Sequence, residues 1–482
     1  MSRRATLLME AEPYSSASGF INALLAEELS QSGHDCQGLY LQRPVSGDTF
    51  IPLATADRIR CLRGGLPAEL AVYCDRGLGI SLPSQASARR TVVLFHGLAG
   101  SPATWIGNPI IDRYWVLSSY MQELLTCVLT LPDWRRRRCL TPEAFQVVDR
   151  LEPVLPCVDE PDGDPRLRGG ELPPHLLRSL EGGEDVVGHA LQPGKPDWTA
   201  VCSILLLLNR MSKEHGLGQR FRLTVVARNF ALVSHALASG PPEAQAARMG
   251  LEALGLRLED VFIPIEHLNQ KALFRLFRSA RFGLAYNALP EPFGFYVLES
   301  VFNGCPIYTN GSGNHRHVLP PGHGIHVRED VGMALGNPNA YGEVAARIFA
   351  DMQAPESNAV ACQKGREYIL RTFTRSAFSR SVRASLEQLR FPLPAPLPFE
   401  ELEVRLAPVV RLLDAEGHVI SDFENTKLSP EELGLLGEVR GLRAGQVLAR
   451  PSLGRELATL QGLCSRGVLA LQVPTPKAPP SR

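Results

Sequence analysis

Between residues 185 and 327 the chain alternates short apolar runs with amphipathic stretches of helical spacing, and this rhythm leaves few folds open. The apolar runs cover 185–189, 221–227, 261–265, 282–286, 306–309 and 325–327. Helical patterns over 198–215, 242–254, 269–279 and 293–302 lie between them. Strands this apolar cannot line a solvated sheet face. They belong in a parallel sheet covered by helices on both sides, with each crossover right-handed.

The first part of the chain carries a looser version of the same pattern. A strand over 5–9 meets a small-residue loop, Ser15-Ser16-Ala17-Ser18-Gly19, then a helix over 20–29 that Gly33 closes. Strand, glycine-bearing turn and helix, in that order, is how a nucleotide-binding α/β domain begins. Further strands are expected at 70–73, 91–95 and 116–120, the last entering a helix over 121–129.

From 131 to 183 proline, arginine and acidic residues dominate, which reads as a linker. Helices over 340–352 and 357–389 close the second unit, and a proline-rich segment follows at 391–398. A small third unit is expected beyond it: a strand at 409–413, helices at 429–439, 444–449 and 454–466, and a strand at 468–473. The expected domains are therefore 1–180, 181–390 and 391–475, with a disordered tail at 476–482.

Fifty basic and fifty acidic residues balance, so no net field gathers nucleic acid or anionic lipid. No apolar run nears the roughly 20 residues that span a bilayer. Ten cysteines without a C-x-x-C pair suit reduced thiols in a cytoplasmic chain better than a disulfide framework or zinc site. The run Arg135–Arg138 beside Trp134 could touch a membrane surface, but acidic neighbours favour a solvated turn.

The chemistry concentrates at Glu291-Pro292-Phe293-Gly294-Phe295-Tyr296-Val297-Leu298-Glu299. Two carboxylates bracket the start of a helix whose first amides, around Gly294 and Phe295, would form an anion site aided by the helix dipole. Carboxylates accept hydrogen bonds from vicinal hydroxyls, so a sugar and a ribose joined by a diphosphate form a coherent ligand.

This segment, with Val301-Phe302-Asn303-Gly304-Cys305-Pro306 after it, resembles the E-x7-E region of the retaining GT-B glycosyltransferases. The resemblance implies two Rossmann-like domains facing across a cleft. It also implies metal-independent transfer of a hexosyl group from a nucleotide-diphosphate sugar, with retention and without a further cofactor. Glu291 would then hold the donor sugar and Glu299 the ribose.

Upstream, the family's Gly-Arg and following Lys, which meet the diphosphate, correspond to Gly188-His189 and Lys195. Here histidine replaces arginine, and the spacing is one longer. Arg228 is a further phosphate candidate, and Asn314 a sugar or phosphate contact. Gly19 would approach the donor phosphates, and His96, after a buried strand, would face the donor sugar as a second catalytic candidate. The third unit is similar to a winged helix or a PqqD-like domain, and that resemblance implies a peptide or protein partner held there, with the acceptor as one candidate; the acceptor's identity stays open.

Other patterns carry less. The strand before His96-Gly97 is like that of α/β-hydrolases, but no G-x-S-x-G follows; Gly79-Ile80-Ser81-Leu82-Pro83 lacks the final glycine. Asp162-Gly163-Asp164 mimics a metal-binding D-x-D but sits in the linker. His315, His317, His323 and His326 invite a metal site but lack a helical i, i+4 pair. Two alternatives remain: a nucleotide-sugar 2-epimerase or hydrolase, and a degenerate transferase that binds peptide.

Overall fold

The computed structural model describes residues 3–9, 17–40, 68–76, 88–97, 111–130, 151–158, 170–192, 194–239, 242–266, 268–389 and 398–472. The Asp162-Gly163-Asp164 motif, the Arg135–Arg138 run, residues 79–83, nearly all of the proline-rich segment and the tail lie outside them.

Two parallel sheets of six strands organise the chain. In the first, β1 (Arg3–Met9), β2 (His34–Tyr40), β3 (Ala68–Arg76), β4 (Ala88–Phe95), β5 (Arg113–Val116) and β6 (Leu151–Pro153) run in the order β2-β1-β3-β4-β5-β6. Val92, Val93, Leu94 and Phe95 of β4 are all essentially buried, so this strand is covered on both faces, as its sequence requires.

The second sheet contains β7 (Asp185–Ala190), β8 (Arg220–Val226), β9 (Phe262–Ile265), β10 (Phe282–Ala285), β11 (Ile307–Thr309) and β12 (Ile325–Val327). Its order is β12-β11-β10-β7-β8-β9. Both halves therefore begin at the centre, with β7 and β10 side by side, which is the dinucleotide-fold arrangement.

A third unit follows. Strand β13 (Glu403–Leu406) pairs antiparallel with β17 (Leu469–Gln472), and β14 (Val410–Leu413), β15 (His418–Ser421) and β16 (Thr426–Lys427) form a second small sheet. Helices Pro430–Val439, Ala444–Leu448 and Leu453–Ser465 pack on them around Leu436, Val439 and Leu463.

Several expectations change. The segment read as a linker carries β6 and the helix Pro174–Glu181, and β6 completes the first sheet. A helix at Ala227–Ser239 follows β8 directly. The long helix expected at 357–389 is two helices, Glu356–Thr372 and Arg375–Gln388, with the Thr374 side chain capping the second. That second helix returns to the first domain: the Trp115 indole N–H donates to Ser385 Oγ at 2.6 Å, and Arg383 pairs with buried Glu28. No helix among the described residues is long and apolar enough to cross a membrane.

Candidate functional site

Strand order reverses between β7 and β10, so the loops leaving their carboxyl ends diverge and open a crevice. Glu291 and Lys195 stand on those two loops. The first domain presents its own carboxyl end to the same place. Ser118, just after β5, donates from its hydroxyl to the Pro292 carbonyl at 2.6 Å, and the same oxygen accepts the Met121 N–H at the start of helix Ser119–Thr130.

The loop after β7 is fixed from below by Asn229. This fully buried side chain accepts the Gly194 N–H and donates to the Gln192 carbonyl, each at 2.9 Å. Lys195 then reaches the Glu291 carboxylate as an ion pair. Gln192 donates to the same Glu291 oxygen at 3.0 Å, and the Lys195 carbonyl accepts the Ala288 N–H at 2.9 Å. A cation, an amide and a carboxylate thus meet at one point.

The Glu291 backbone is held by a third loop. Its carbonyl accepts the Asn314 N–H at 2.8 Å, and Asn314 Nδ2 donates to the Phe293 carbonyl at 2.6 Å. Gly313 lies against Glu291 with φ 63°, and a side chain there would collide with the Glu291 backbone. Asn314 is consequently a buttress, 4% exposed.

Gly294 takes φ 109°, a left-handed conformation that suits glycine, and this turn starts the helix Phe295–Phe302 two residues later than the sequence pattern indicates. No side chain caps that helix, which leaves its first amides for an anion. His315 closes one side of the turn. It is 1% exposed, its Nε2 has no hydrogen-bond partner, and burial lowers its pKa to about 4, so the ring is neutral.

Glu299 lies on the same helix, half-buried, with Gln270 Nε2 at 3.5 Å. Burial raises its carboxyl to about 7. A carboxyl so poorly solvated gains from any hydroxyl that comes to it.

The other expected residues divide. Phe295 packs edge-on against Phe20 of the first domain, with ring centroids 6.2 Å apart. Gly19 is buried within the first turn of helix Ala17–Gln31 rather than in the loop expected before it, because the helix begins at Ala17 and not at Phe20. Arg228 is exposed at the start of helix Ala227–Ser239, and His96 is half-buried just past β4.

His189 is a correction. Its side chain is fully buried, with Nδ1 2.7 Å from the Tyr296 hydroxyl and Nε2 within 3.1 Å of Ser300 Oγ and 3.3 Å of Cys305 Sγ. The Phe277 ring lies 4.7 Å away, and burial lowers the histidine to about 3. A neutral ring with both nitrogens engaged inside the core has nothing to offer a diphosphate. His189 therefore supplies no cation to the crevice, and Lys195 stands there beside Glu291.

The histidines of the 315–326 loop do not converge. His317 stacks on Tyr120, and His326 stacks on Tyr308 and bonds Asn358. Among the described residues the one group with metal-ligand spacing is Asp414, Glu416 and His418, in the turn between β14 and β15.

Sequence reasoning missed Gln192, Asn229 and Ser118, and above all Asp422. This carboxylate is fully buried and accepts the Gly313 N–H at 2.9 Å and two nitrogens of Arg316 at 3.1–3.2 Å. Arg316 also donates to the Pro408 carbonyl. Thus the third unit holds the loop that holds Glu291.

Two facing Rossmann-like domains with the crevice between them define the GT-B fold, and solved structures agree. A glycosyltransferase from Rickettsia africae superposes with a TM-score of 0.54 at 10% identity, over 81% of this chain and 99% of its own. Anabaena Alr3699/HepE, in complex with UDP and glucose, gives 0.50 at 11% identity, over 80% of this chain and 100% of its own. The α,α-trehalose 6-phosphate synthase of Burkholderia multivorans gives 0.51 at 13% identity, over 81% and 99%. No protein-family model matches the chain, and no curated protein matches it in sequence.

Proposed function

We propose that the chain is a glycosyltransferase that moves a sugar from a nucleotide-diphosphate sugar to an acceptor. The observation that carries this reading is the meeting of Lys195 and Glu291 at the switch point, beside the uncapped helix that starts at Phe295. The neighbour from Anabaena, in complex with UDP and glucose, favours a uridine nucleotide and a hexose.

In this reading the donor diphosphate takes the helix start, and the Lys195 ammonium turns from Glu291 to the phosphates. Positive charge from both stabilises the departing nucleotide, which is the role a metal plays elsewhere. Glu291, released from Lys195, accepts hydrogen bonds from the donor sugar hydroxyls. Glu299 accepts from the ribose, with Gln270 beside it. Retention of the anomeric configuration follows from the E-x7-E resemblance.

The test is donor turnover. Purified protein supplied with UDP-, GDP-, ADP- and dTDP-sugars and a mixed acceptor extract is followed by nucleotide release and by product mass. Transfer that falls at least a hundredfold in Glu291→Ala supports the reading. Turnover of the donor without any acceptor would favour the epimerase or hydrolase alternative, and no turnover of any donor would end the transferase assignment.

A further inference from the structure

A second cavity lies on the other side of the Glu291 loop, at the seam between the second Rossmann-like domain and the third unit. It encloses about 200 Å³ and is lined from one side by Asp197, Asn287, Asn310 and Glu329, and from the other by Arg411 and Phe423. Pockets for drug-sized ligands run to roughly 300–1,000 Å³, so this one suits a single small ring.

Asn287 is the telling residue. Its side chain is 3% exposed, yet neither Oδ1 nor Nδ2 has a hydrogen-bond partner. Its backbone is nonetheless pinned. The N–H donates to Asn310 Oδ1 at 3.3 Å, the carbonyl accepts from Asn310 Nδ2 at 2.9 Å, and a bridge to Pro196 holds it beside Lys195. A buried amide kept rigid and unpaired is rare, because burial without a partner is costly. It offers a donor and an acceptor side by side, which is what a pair of ring hydroxyls requires.

The surroundings narrow the ligand. Asp197 and Glu329 face the cavity against one guanidinium, Arg411, which is already paired with Glu329 and bonded to the Ser421 carbonyl. A phosphate would meet more negative than positive charge there, so the occupant is not an anion. Phe423 lies at the lining with 60% of its surface exposed. An exposed aromatic beside amide and carboxylate acceptors matches a sugar ring, which has an apolar C–H face and a rim of hydroxyls.

We propose that this seam is a subsite for a neutral sugar ring, held by Asn287 and Phe423 and built jointly by the second domain and the third unit. That the ring belongs to the acceptor rests on the transferase reading above; that a sugar binds here does not. The ring could come from a free monosaccharide or from the end of a longer glycan, and both share this chemistry.

The full chain is titrated with glucose, galactose, mannose, glucosamine, N-acetylglucosamine and disaccharides of these, using saturation-transfer NMR, with and without UDP. A disaccharide that binds more tightly than its monosaccharide identifies a glycan end, and the reverse order a free sugar. Asn287→Leu replaces the unpaired amide with an apolar side chain and Phe423→Ala removes the aromatic face. Neither removes a side-chain hydrogen bond of Asn287, because it makes none, and thermal melts check that both variants fold. We expect at least one sugar to bind, at least tenfold weaker binding in both variants, and UDP affinity within about twofold of the parent. If no sugar in the panel binds, or both variants bind as tightly as the parent, the subsite is overturned. Retained UDP binding in that case leaves the transferase reading standing, whereas loss of nucleotide binding in the parent would count against that reading instead.

Discussion

The Tyr120 hydroxyl donates to the Asp422 carboxylate at 2.7 Å, across 302 residues of sequence. Tyr120 belongs to the first domain, Asp422 to the third unit, and Asp422 also accepts the Gly313 N–H and the Arg316 guanidinium of the second. One buried carboxylate therefore ties all three units together beside Glu291. Burial and the adjacent carboxylate push the Tyr120 hydroxyl far up, so it stays a donor. Removing the charge in Asp422→Asn leaves Arg316 poorly paired and is expected to cost about 3–5 kcal/mol. Tyr120→Phe loses one hydrogen bond to a charged group, about 1.5–3 kcal/mol. Urea unfolding measures both. Nucleotide affinity should fall only in the first variant, because Asp422, and not Tyr120, bonds the Gly313 N–H.

Gly313 and Gly322 both have positive φ, at 63° and 76°, but they differ in surroundings. Nothing lies within 4 Å of a side chain added at Gly322, while one added at Gly313 meets the Glu291 backbone. Gly322→Ala should cost only backbone strain, about 1–2 kcal/mol. Gly313→Ala should cost more and also weaken nucleotide-sugar binding at least tenfold, as read by calorimetry.

Placing an arginine at position 189 should fail. His189→Arg would bury a guanidinium among Phe277, Tyr296 and Cys305, and we expect insoluble or largely unfolded protein on circular dichroism. The parent has a related acid sensitivity. The folded pKa of His189 lies at about 3, below its ordinary 6.5, so its contribution is present above pH 6.5 and is lost as pH falls through that window. Melting temperature should drop steadily from pH 7 to pH 4, and less so in a His189→Gln variant that still folds.

Glu299 has the opposite sign. Burial raises its folded pKa from 4.5 to about 7, so the empty protein loses stability from this group as pH rises across that range. Ribose hydroxyls that bond the carboxylate favour the charged form and lower the pKa, so binding releases a proton. Calorimetry of UDP at pH 6.5 in buffers of different ionisation heat should show more proton release in the parent than in Glu299→Gln. Equal release in the two would separate Glu299 from the ribose.

Much of this architecture is legible in the residues. The apolar runs from 185 onward place the second sheet, and Pro292 and Gly294 mark the turn that carries Glu291. What escapes is set by long-range contact. A strand-end histidine followed by lysine looks like a phosphate pair, but whether His189 points into the cleft or the core depends on how β7 pairs with β10, where Gly283 lies opposite it. The helix Ala227–Ser239 starts on the residue directly after the strand Arg220–Val226, with no turn residue between them, so the sequence shows no boundary. Asp422 has no local motif at all. Its role exists only because the first two domains bring Tyr120, Gly313 and Arg316 to it.

The central claim is that Lys195 and Glu291 form a nucleotide-sugar site, and titration of UDP and UDP-glucose into the parent, Lys195→Met and Glu291→Gln tests it most directly. Lys195→Met should weaken both ligands about 10–100-fold, matching the loss of a charge-assisted bond of about 1.5–3 kcal/mol. Glu291→Gln should weaken UDP-glucose but leave UDP nearly unchanged, since only the sugar reaches that carboxylate. Equal affinities for both ligands in all three proteins would contradict the account.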